Sequence, residues 1–592
     1  STRFPYTTFG RAMGGADGKN SGAGTDYFFL AGLNKTRQVL KDLKAPTNFA
    51  WDWGPAIWTL GIWKDVRIET TGASRIVWAQ VNSRLTDAYK NATITVNLDV
   101  NTIADSGKGQ LKLCIRGNGA DEQSTTDIRL EKGNSTVTGK LQLQHPALWW
   151  PNGQGAQPLY HVSAILSGEN GEILDSVCTR TGIRELTWGE VEGAPANVPQ
   201  DATKAPGLSR PNLLYVNGRP IRMLGANLQQ PDLLQGNIMK RGPRVLQLAH
   251  HAGVNALRLW GGGVLPEKMF DLADELGLML IHTFPLANSV PESDDVFVNN
   301  LEYTARNIIR QVRNHPSIVE WSGGNEMGWW TGLDHKALNA LERSVKEEDG
   351  RLFRATNPVQ GDRHGGYFYL PSIYNYFNDL AMTEHWGKGP MMRSTEYGVE
   401  TPANLEVWQR DIPPADQWPI IPELAAEKRV MIRKNIFHAM GEEWWLGKNV
   451  ITSLFGEPEN LEAMVNAGQF IGAEGIRMAS DAYRRRGAAI GGMFAWVFNE
   501  GWSNGAGSFH VDYDGMPLMN YYFLADAFRP LAISLKYFSI TYHKTKGIDT
   551  ELWITSDLPG PSGNLSWQYT IRTSNGSVVD KGSGHAVVLR RQ

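Results

Sequence analysis

Two glutamates in this 592-residue chain stand where an acid–base pair is easiest to build. Glu326 closes the stretch SIVEWSGGNE (317–326), and Glu396 lies in MMRSTEYG (391–398), 70 residues further on. Each ends a short apolar run and is followed by small or aromatic residues. Two carboxylates at a common mouth are the minimum equipment for glycoside hydrolysis. One, protonated, assists the leaving group, and the other, ionised, attacks or stabilises the anomeric centre. Their mutual repulsion raises the pKa of one partner. On position alone the alternative, an ordinary loop glutamate at each place, stays open. Asn227, Arg258, Trp260, His282, Thr283, Asn325, Trp496 and Asn499 also fall at the ends of apolar runs.

These residues need elements to hold them. From 212 to about 530, short apolar runs alternate with amphipathic helical patterns. NALRLWGGG (255–263) precedes PEKMFDLADELG, and LMLIHTF (278–284) precedes a helix aligning Val298, Leu301, Ala305, Ile308, Ile309 and Val312. That rhythm predicts a parallel α/β architecture, and the length fits an eight-fold barrel, whose functional groups gather at the C-terminal ends of the strands. The fifth and sixth strands are expected within 356–386. A doubly wound sheet is disfavoured, because no Gly-x-Gly-x-x-Gly follows the first strand. Period-two alternation over 74–186 predicts a β-sandwich, and it returns after 530. A Pro/Ala-rich passage at 192–211 reads as a linker.

Composition narrows the classes further. The 58 basic and 61 acidic residues leave a net charge of -3, so no bulk field favours nucleic acid. No apolar stretch approaches the ~18 residues needed to cross a bilayer. Two cysteines, Cys114 and Cys178, exclude a disulfide scaffold, and two buried free thiols are expected over one bridge. The chain starts at Ser1 without a charged-then-apolar leader, so no targeting signal is read. Adjacent His250 and His251 cannot grip one metal from one helix face. DYDG (512–515) lacks the rest of a calcium loop.

WSGGNEMGWW and RSTEYG resemble the two catalytic segments of glycoside hydrolase family 2. FAWDWGPAIWTLGIWKDVRIE (49–69), LRLWGGG (257–263) and HPSIVEWSGGNE (315–326) follow in the family's order, and Trp-Asp-Trp-Gly-Pro with Arg-Leu-Trp-Gly-Gly-Gly resembles its β-mannosidase and exo-β-glucosaminidase branch. The resemblance implies a multidomain chain: a partial N-terminal jelly roll (1–73), an immunoglobulin-like β-sandwich (74–186), a (β/α)8 TIM barrel (187–530) and a partial C-terminal sandwich (531–592). It implies Glu326 as acid/base, with Asn325 beside it for the sugar 2-hydroxyl, and Glu396 as nucleophile, followed by Tyr397. Trp51 and Asp52 would grip the non-reducing sugar, Arg258 would hold the nucleophile, and Trp260 and Trp496 would flank the ring. Trp329, Trp330, Tyr374, Tyr376, His385 and Trp386 are further candidates for the pocket wall.

Two segments depart from the branch. His282, Thr283 and Phe284 stand where β-mannosidases carry Gln-Asp-Phe, and FNEGWS (498–503) replaces Asn-Asp-Cys-Trp-Pro. Both fall beside the sugar pocket. The reading is therefore a retaining exo-β-glycosidase without cofactor or metal. β-Mannoside is the leading substrate, then β-glucosaminide or β-galactoside. A non-catalytic carbohydrate-binding protein and an assembly scaffold are the other classes. A secreted or periplasmic location suits a polysaccharide-degrading role.

Overall fold

Alternation alone shapes the first part of the chain. In the strand Asn91–Thr102 every second residue is buried, from Ala92 to Thr102, as a strand with one face on a core requires. It is the central strand of a three-stranded antiparallel sheet with Ser74–Thr86 and Gly133–Gln144. A four-stranded sheet, ordered Ala120–Leu130, Gly107–Gly117, Tyr160–Gly168, Ile173–Thr181, packs against it. This computed structural model describes residues 49–587, except 52–53, 57–60, 105–106, 193–211, 263–264, 288–290, 328–333, 360–361, 368–391, 400, 420–447, 538, 541–546, 548 and 561–562.

Both cysteines are free, but neither is buried: Cys114 is half-buried and Cys178 exposed. Each pairs with Ser163, from opposite sides. They therefore share the outward face of the four-stranded sheet, two strand spacings (about 9–10 Å) apart, beyond the reach of a bridge.

Eight parallel strands follow: β1 (Met223–Leu228), β2 (Ala256–Leu259), β3 (Met279–Thr283), β4 (Ile318–Ser322), β5 (Phe353–Arg354), β6 (Asp362–Tyr367), β7 (Arg393–Gly398) and β8 (Gly492–Ala495). Their order is β5-β4-β3-β2-β1-β8-β7-β6, with first and last strands paired as a barrel demands. The fifth strand lies ahead of the expected 356–386 window. It has two residues, one of them Arg354, so no apolar run marks it.

Helices α1 (Ile238–His251), α2 (Glu267–Leu276), α3 (Asp295–Val312), α4 (Lys336–Glu348), α5 (Leu461–Arg485) and α6 (Met519–Ala527) cover the outside. Asp294 caps α3 by accepting from the Phe297 amide at 3.0 Å, and Asn460 caps α5 through Ala463 at 2.8 Å. Along β1, Leu224, Ala226 and Leu228 face the helices, while Met223 faces inward. Gly225 must be glycine, because a Cβ there would come within 2.4 Å of the Phe494 ring.

The N-terminal end of the barrel is sealed by Trp149, delivered from the end of the sandwich. It is fully buried among Met223, Ala256, Met279, Ile281, Val319 and Phe494. With that end closed, the C-terminal end is the one left for a site. Beyond the barrel, Leu531–Lys536 pairs with Glu551–Ser556, and Asn564–Arg572 with Val578–Val587.

Candidate active site

Arg258 organises the mouth of the barrel. It points inward from β2, is fully buried, and spends its guanidinium on three acceptors from three other segments. Nη1 donates to Asn227 Oδ1 and to Glu396 Oε1, both at 2.7 Å, and Nη2 donates to Asn325 Oδ1 at 2.5 Å. Asn227 in turn donates to the carbonyls of Thr395 (3.0 Å) and Ala495 (3.2 Å). Since β2 and β7 are not neighbours in the sheet, the Arg258–Glu396 pair crosses the barrel interior. The pair is a charge-assisted hydrogen bond between buried side chains.

Glu326 arrives by a different route. Its φ of 52° lies in the left-handed region, uncommon for a residue with a side chain. The turn is held by its own amide donating to the Asn357 carbonyl at 2.8 Å and by the Asn325 amide donating to Leu286 at 2.9 Å. Such a conformation costs about 1–3 kcal/mol and persists because the surrounding structure over-determines it. The strand β4 ends at Ser322, four residues before Glu326, so this bend and not strand alternation sets the direction.

His364, on β6, stands between the two carboxylates. Its Nε2 lies 3.2 Å from Glu326 Oε1 and its Nδ1 3.3 Å from Glu396 Oε2. One oxygen from each glutamate and a ring nitrogen of His364 fall within 4.8 Å of one another. The Glu326 side chain is 15 % exposed and that of Glu396 5 %. These three could hold a divalent cation by donor type. The buried guanidinium already on Glu396 opposes a second positive charge there. Asp271, Asp274 and His315 form a second such group, but both Asp274 oxygens are occupied, by the Ser317 amide at 3.0 Å and His315 Nδ1 at 2.6 Å.

His364 is the residue of this candidate site that the sequence did not disclose. DRHGGY carries no apolar alternation, and the histidine matters only because β6 sets it opposite two glutamates from other strands. A buried acid was also missed. Glu500, just beyond Asn499, accepts from Asn504 Nδ2 (2.8 Å) and from the Tyr513 amide (3.1 Å). Burial pushes its carboxyl well above the ordinary value.

Several expected contacts fall elsewhere. Tyr397 alternates away from Glu396 and lies fully buried against α5. Its hydroxyl is 2.8 Å from Ser480 Oγ and its ring 5.0 Å from that of Tyr483. It cannot touch a sugar in the barrel. Trp260 and Trp496 do meet, edge to face, with centroids 5.6 Å apart. That spacing leaves no room for a pyranose between them, so they do not flank a ring from two sides.

His282 also faces outward, among Phe270, Phe284 and Trp321. Asn499 is consumed by backbone, accepting from the Gln229 amide at 3.2 Å. Trp51 ends the strand Phe49–Trp51, paired with Gly54–Ala56. Asp52, Trp329, Trp330, Tyr374, Tyr376, His385 and Trp386 lie outside the described residues.

Comparison with known proteins bears on the family and the fold. Residues 74–184 match "Glycosyl hydrolases family 2", and residues 209–402 match "Glycosyl hydrolases family 2, TIM barrel domain", together just over half of the chain. A β-mannosidase of Bos taurus is 25 % identical over 533 residues, covering 82 % of this chain and 58 % of its own. A β-mannosidase A of Aspergillus clavatus is 24 % identical over 607 residues, covering 88 % and 62 %. The chain thus spans about three fifths of the length of these relatives.

Among solved structures, the β-D-mannosidase of Dictyoglomus thermophilum superposes with a TM-score of 0.73 at 23 % identity, covering 92 % of this chain and 66 % of its own. The exo-chitosanase of Amycolatopsis orientalis gives 0.66 at 18 %, covering 88 % and 59 %. At those identities the superpositions establish the fold.

Proposed function

The chain belongs to glycosyl hydrolase family 2, in its β-mannosidase and exo-β-glucosaminidase branch, and from that premise we propose that it is a retaining exo-β-glycosidase with Glu396 as nucleophile and Glu326 as acid/base. The observation that carries this reading is the approach of the two carboxylates across His364, within 4.8 Å. Retaining enzymes hold the pair about 5–5.5 Å apart, whereas inverting ones leave roughly 6.5–9.5 Å for a water.

In the first step Glu326, as the acid, donates its proton to the glycosidic oxygen while Glu396 attacks the anomeric carbon. The bond to the leaving alcohol breaks and a glycosyl ester forms on Glu396. In the second step Glu326, now a carboxylate, takes a proton from water, whose oxygen displaces the ester and releases the sugar with its β configuration. Arg258 orients Glu396 towards the anomeric carbon and fixes Asn325 beside the acid. His364 holds the two carboxylates in register. The Trp260–Trp496 pair offers an apolar edge to the sugar's C–H face.

β-Mannoside leads as the substrate, supported by the relatives that carry that name. β-Glucosaminide follows, supported by the exo-chitosanase fold, and β-galactoside stands behind both. A panel of p-nitrophenyl β-glycosides followed by NMR tests the reading. The β-mannoside should turn over fastest, with the β anomer appearing first. Glu396→Ala should abolish release, with Glu326→Gln slower by roughly 10²–10⁴-fold. A first-formed α anomer, or a Glu396→Ala enzyme of unchanged rate, overturns the mechanism.

A further inference from the structure

A second cavity lies at the opposite end of the barrel from Glu326, in the seam with the β-sandwich. It has a volume of 510 Å³, and its walls include Arg184, Glu185, Thr187 and Trp188 from the sandwich side and Asp349 and Arg351 from the loop after α4.

Arg184 is only 9 % exposed. Its Nε donates to the Pro316 carbonyl at 2.6 Å and its Nη2 to the Ile318 carbonyl at 2.7 Å. Nη1 has no hydrogen bond, and no carboxylate reaches the guanidinium within ion-pair distance among the described residues. Burial and the like charge of Arg351 push its pKa well below the ordinary value, partly offset by Asp349 and Asp274.

The acids in the wall are already engaged. Asp349 accepts from Trp321 Nε1 at 2.5 Å and Arg351 Nη1 at 3.2 Å, and its side chain is 3 % exposed against 18 % for Arg351. Glu185 accepts from the Tyr89 hydroxyl at 3.1 Å. The cavity is therefore lined by two guanidinium groups, that of Arg351 paired with Asp349 and that of Arg184 held only by carbonyl dipoles, with the Glu185 carboxylate beside them. Elsewhere in this protein buried arginines are matched by carboxylates, as Arg258 and Arg393 are. A buried cation without a counter-charge is costly, and a planar or tetrahedral oxyanion is what a guanidinium recognises best.

We propose that this seam cavity is an anion-binding site, in which Arg184 and Arg351 take the carboxylate or phosphate group of a small organic acid, independently of the glycosidase site. An occupant would bridge the sandwich and the loop that precedes β5. The volume exceeds what one inorganic ion fills, so the charged group is expected to carry an organic body lying towards Trp188 and Thr187.

The test uses the full chain, with inorganic phosphate and glucuronate titrated separately by calorimetry and thermal denaturation at constant ionic strength, chloride serving as control. At least one probe should bind saturably at one site and raise the melting temperature. Binding of phosphate alone or of glucuronate alone identifies which group the site prefers. Arg184 itself holds β4 and is left intact. Arg351→Gln should raise the half-saturating concentration tenfold or more. Thr187→Trp, at an exposed wall position, should abolish binding by filling the cavity. The proposal is overturned if neither probe saturates, if chloride reproduces the shift, or if both variants bind as the wild type does. That last outcome would put the anion elsewhere, for example on Arg258.

Discussion

At the scale of single residues, orientation decides role. Tyr397 directly follows Glu396, yet the two side chains face opposite sides of β7. Ser480 Oγ already donates to the Ile476 carbonyl at 2.7 Å, so the Tyr397 phenol is the donor in their pair. Tyr397→Phe should cost about 1 kcal/mol of stability and leave kcat within twofold. A large fall in kcat with unchanged stability would return Tyr397 to the sugar. Arg258 is the opposite case, because one planar fork serves Asn227, Asn325 and Glu396 at once. A lysine ammonium cannot reproduce that geometry. Arg258→Lys should lower kcat/KM by roughly 10²–10³-fold in a protein that still folds; an unchanged kcat/KM would show that the fork is dispensable. Glu326 and Glu396 were legible as candidates from the local words WSGGNE and RSTEYG. His364 was not, since its importance lies wholly in what stands opposite.

At the scale of elements, β4 to β7 share a buried ion network. Arg393 donates to both Glu320 oxygens, at 2.7 and 3.0 Å, and to both Asp362 oxygens, at 2.8 and 2.6 Å. Arg354 adds a contact to Glu320 at 3.2 Å. The guanidinium of Arg393 holds the Asp362 carboxyl below its ordinary value despite burial. Because β4 and β7 are not adjacent, this network braces the barrel across its interior. Arg393→Met should destabilise by about 3–5 kcal/mol, leaving two carboxylates facing one arginine; chemical denaturation would read it, and a neutral result would refute the bracing. The outward face of β3 makes a pH-dependent contribution. Burial lowers His282 to about 4, so below pH 6.5 the unfolded chain takes up a proton that the folded one refuses. Stability is therefore lost as pH falls from 6.5 towards 4, by about 3 kcal/mol for this group. His282→Leu should lose correspondingly less than the wild type between pH 7 and 4.5. Equal losses in both proteins would contradict the assignment.

At the scale of the whole molecule, the sandwich is part of the barrel's construction. Trp149 closes the N-terminal end and donates through Nε1 to the Asp274 carbonyl at 2.8 Å. Asn314, after α3, accepts from the Val81 amide at 2.9 Å and donates to the Ala79 carbonyl at 3.0 Å, grafting itself onto a sandwich strand. Asn314→Ala should cost roughly 1–3 kcal/mol by stranding those groups, with kcat unchanged. No loss of stability would mean the seam is held by its other contacts. The chain's own periodicities determined the element types: period two for the sandwich, and alternating strands and helices for the barrel. Its local words determined the family resemblance, because both are carried by residues close together in sequence. Tertiary structure alone decided which side of a strand each side chain faces once bends such as that at Glu326 intervene. It also decided that His364 stands between the glutamates, that the two tryptophans touch, and that Arg184 is buried with no carboxylate within ion-pair distance among the described residues. Those outcomes depend on which strands meet across the barrel and the seam, and separations of tens to hundreds of residues leave no local trace of them.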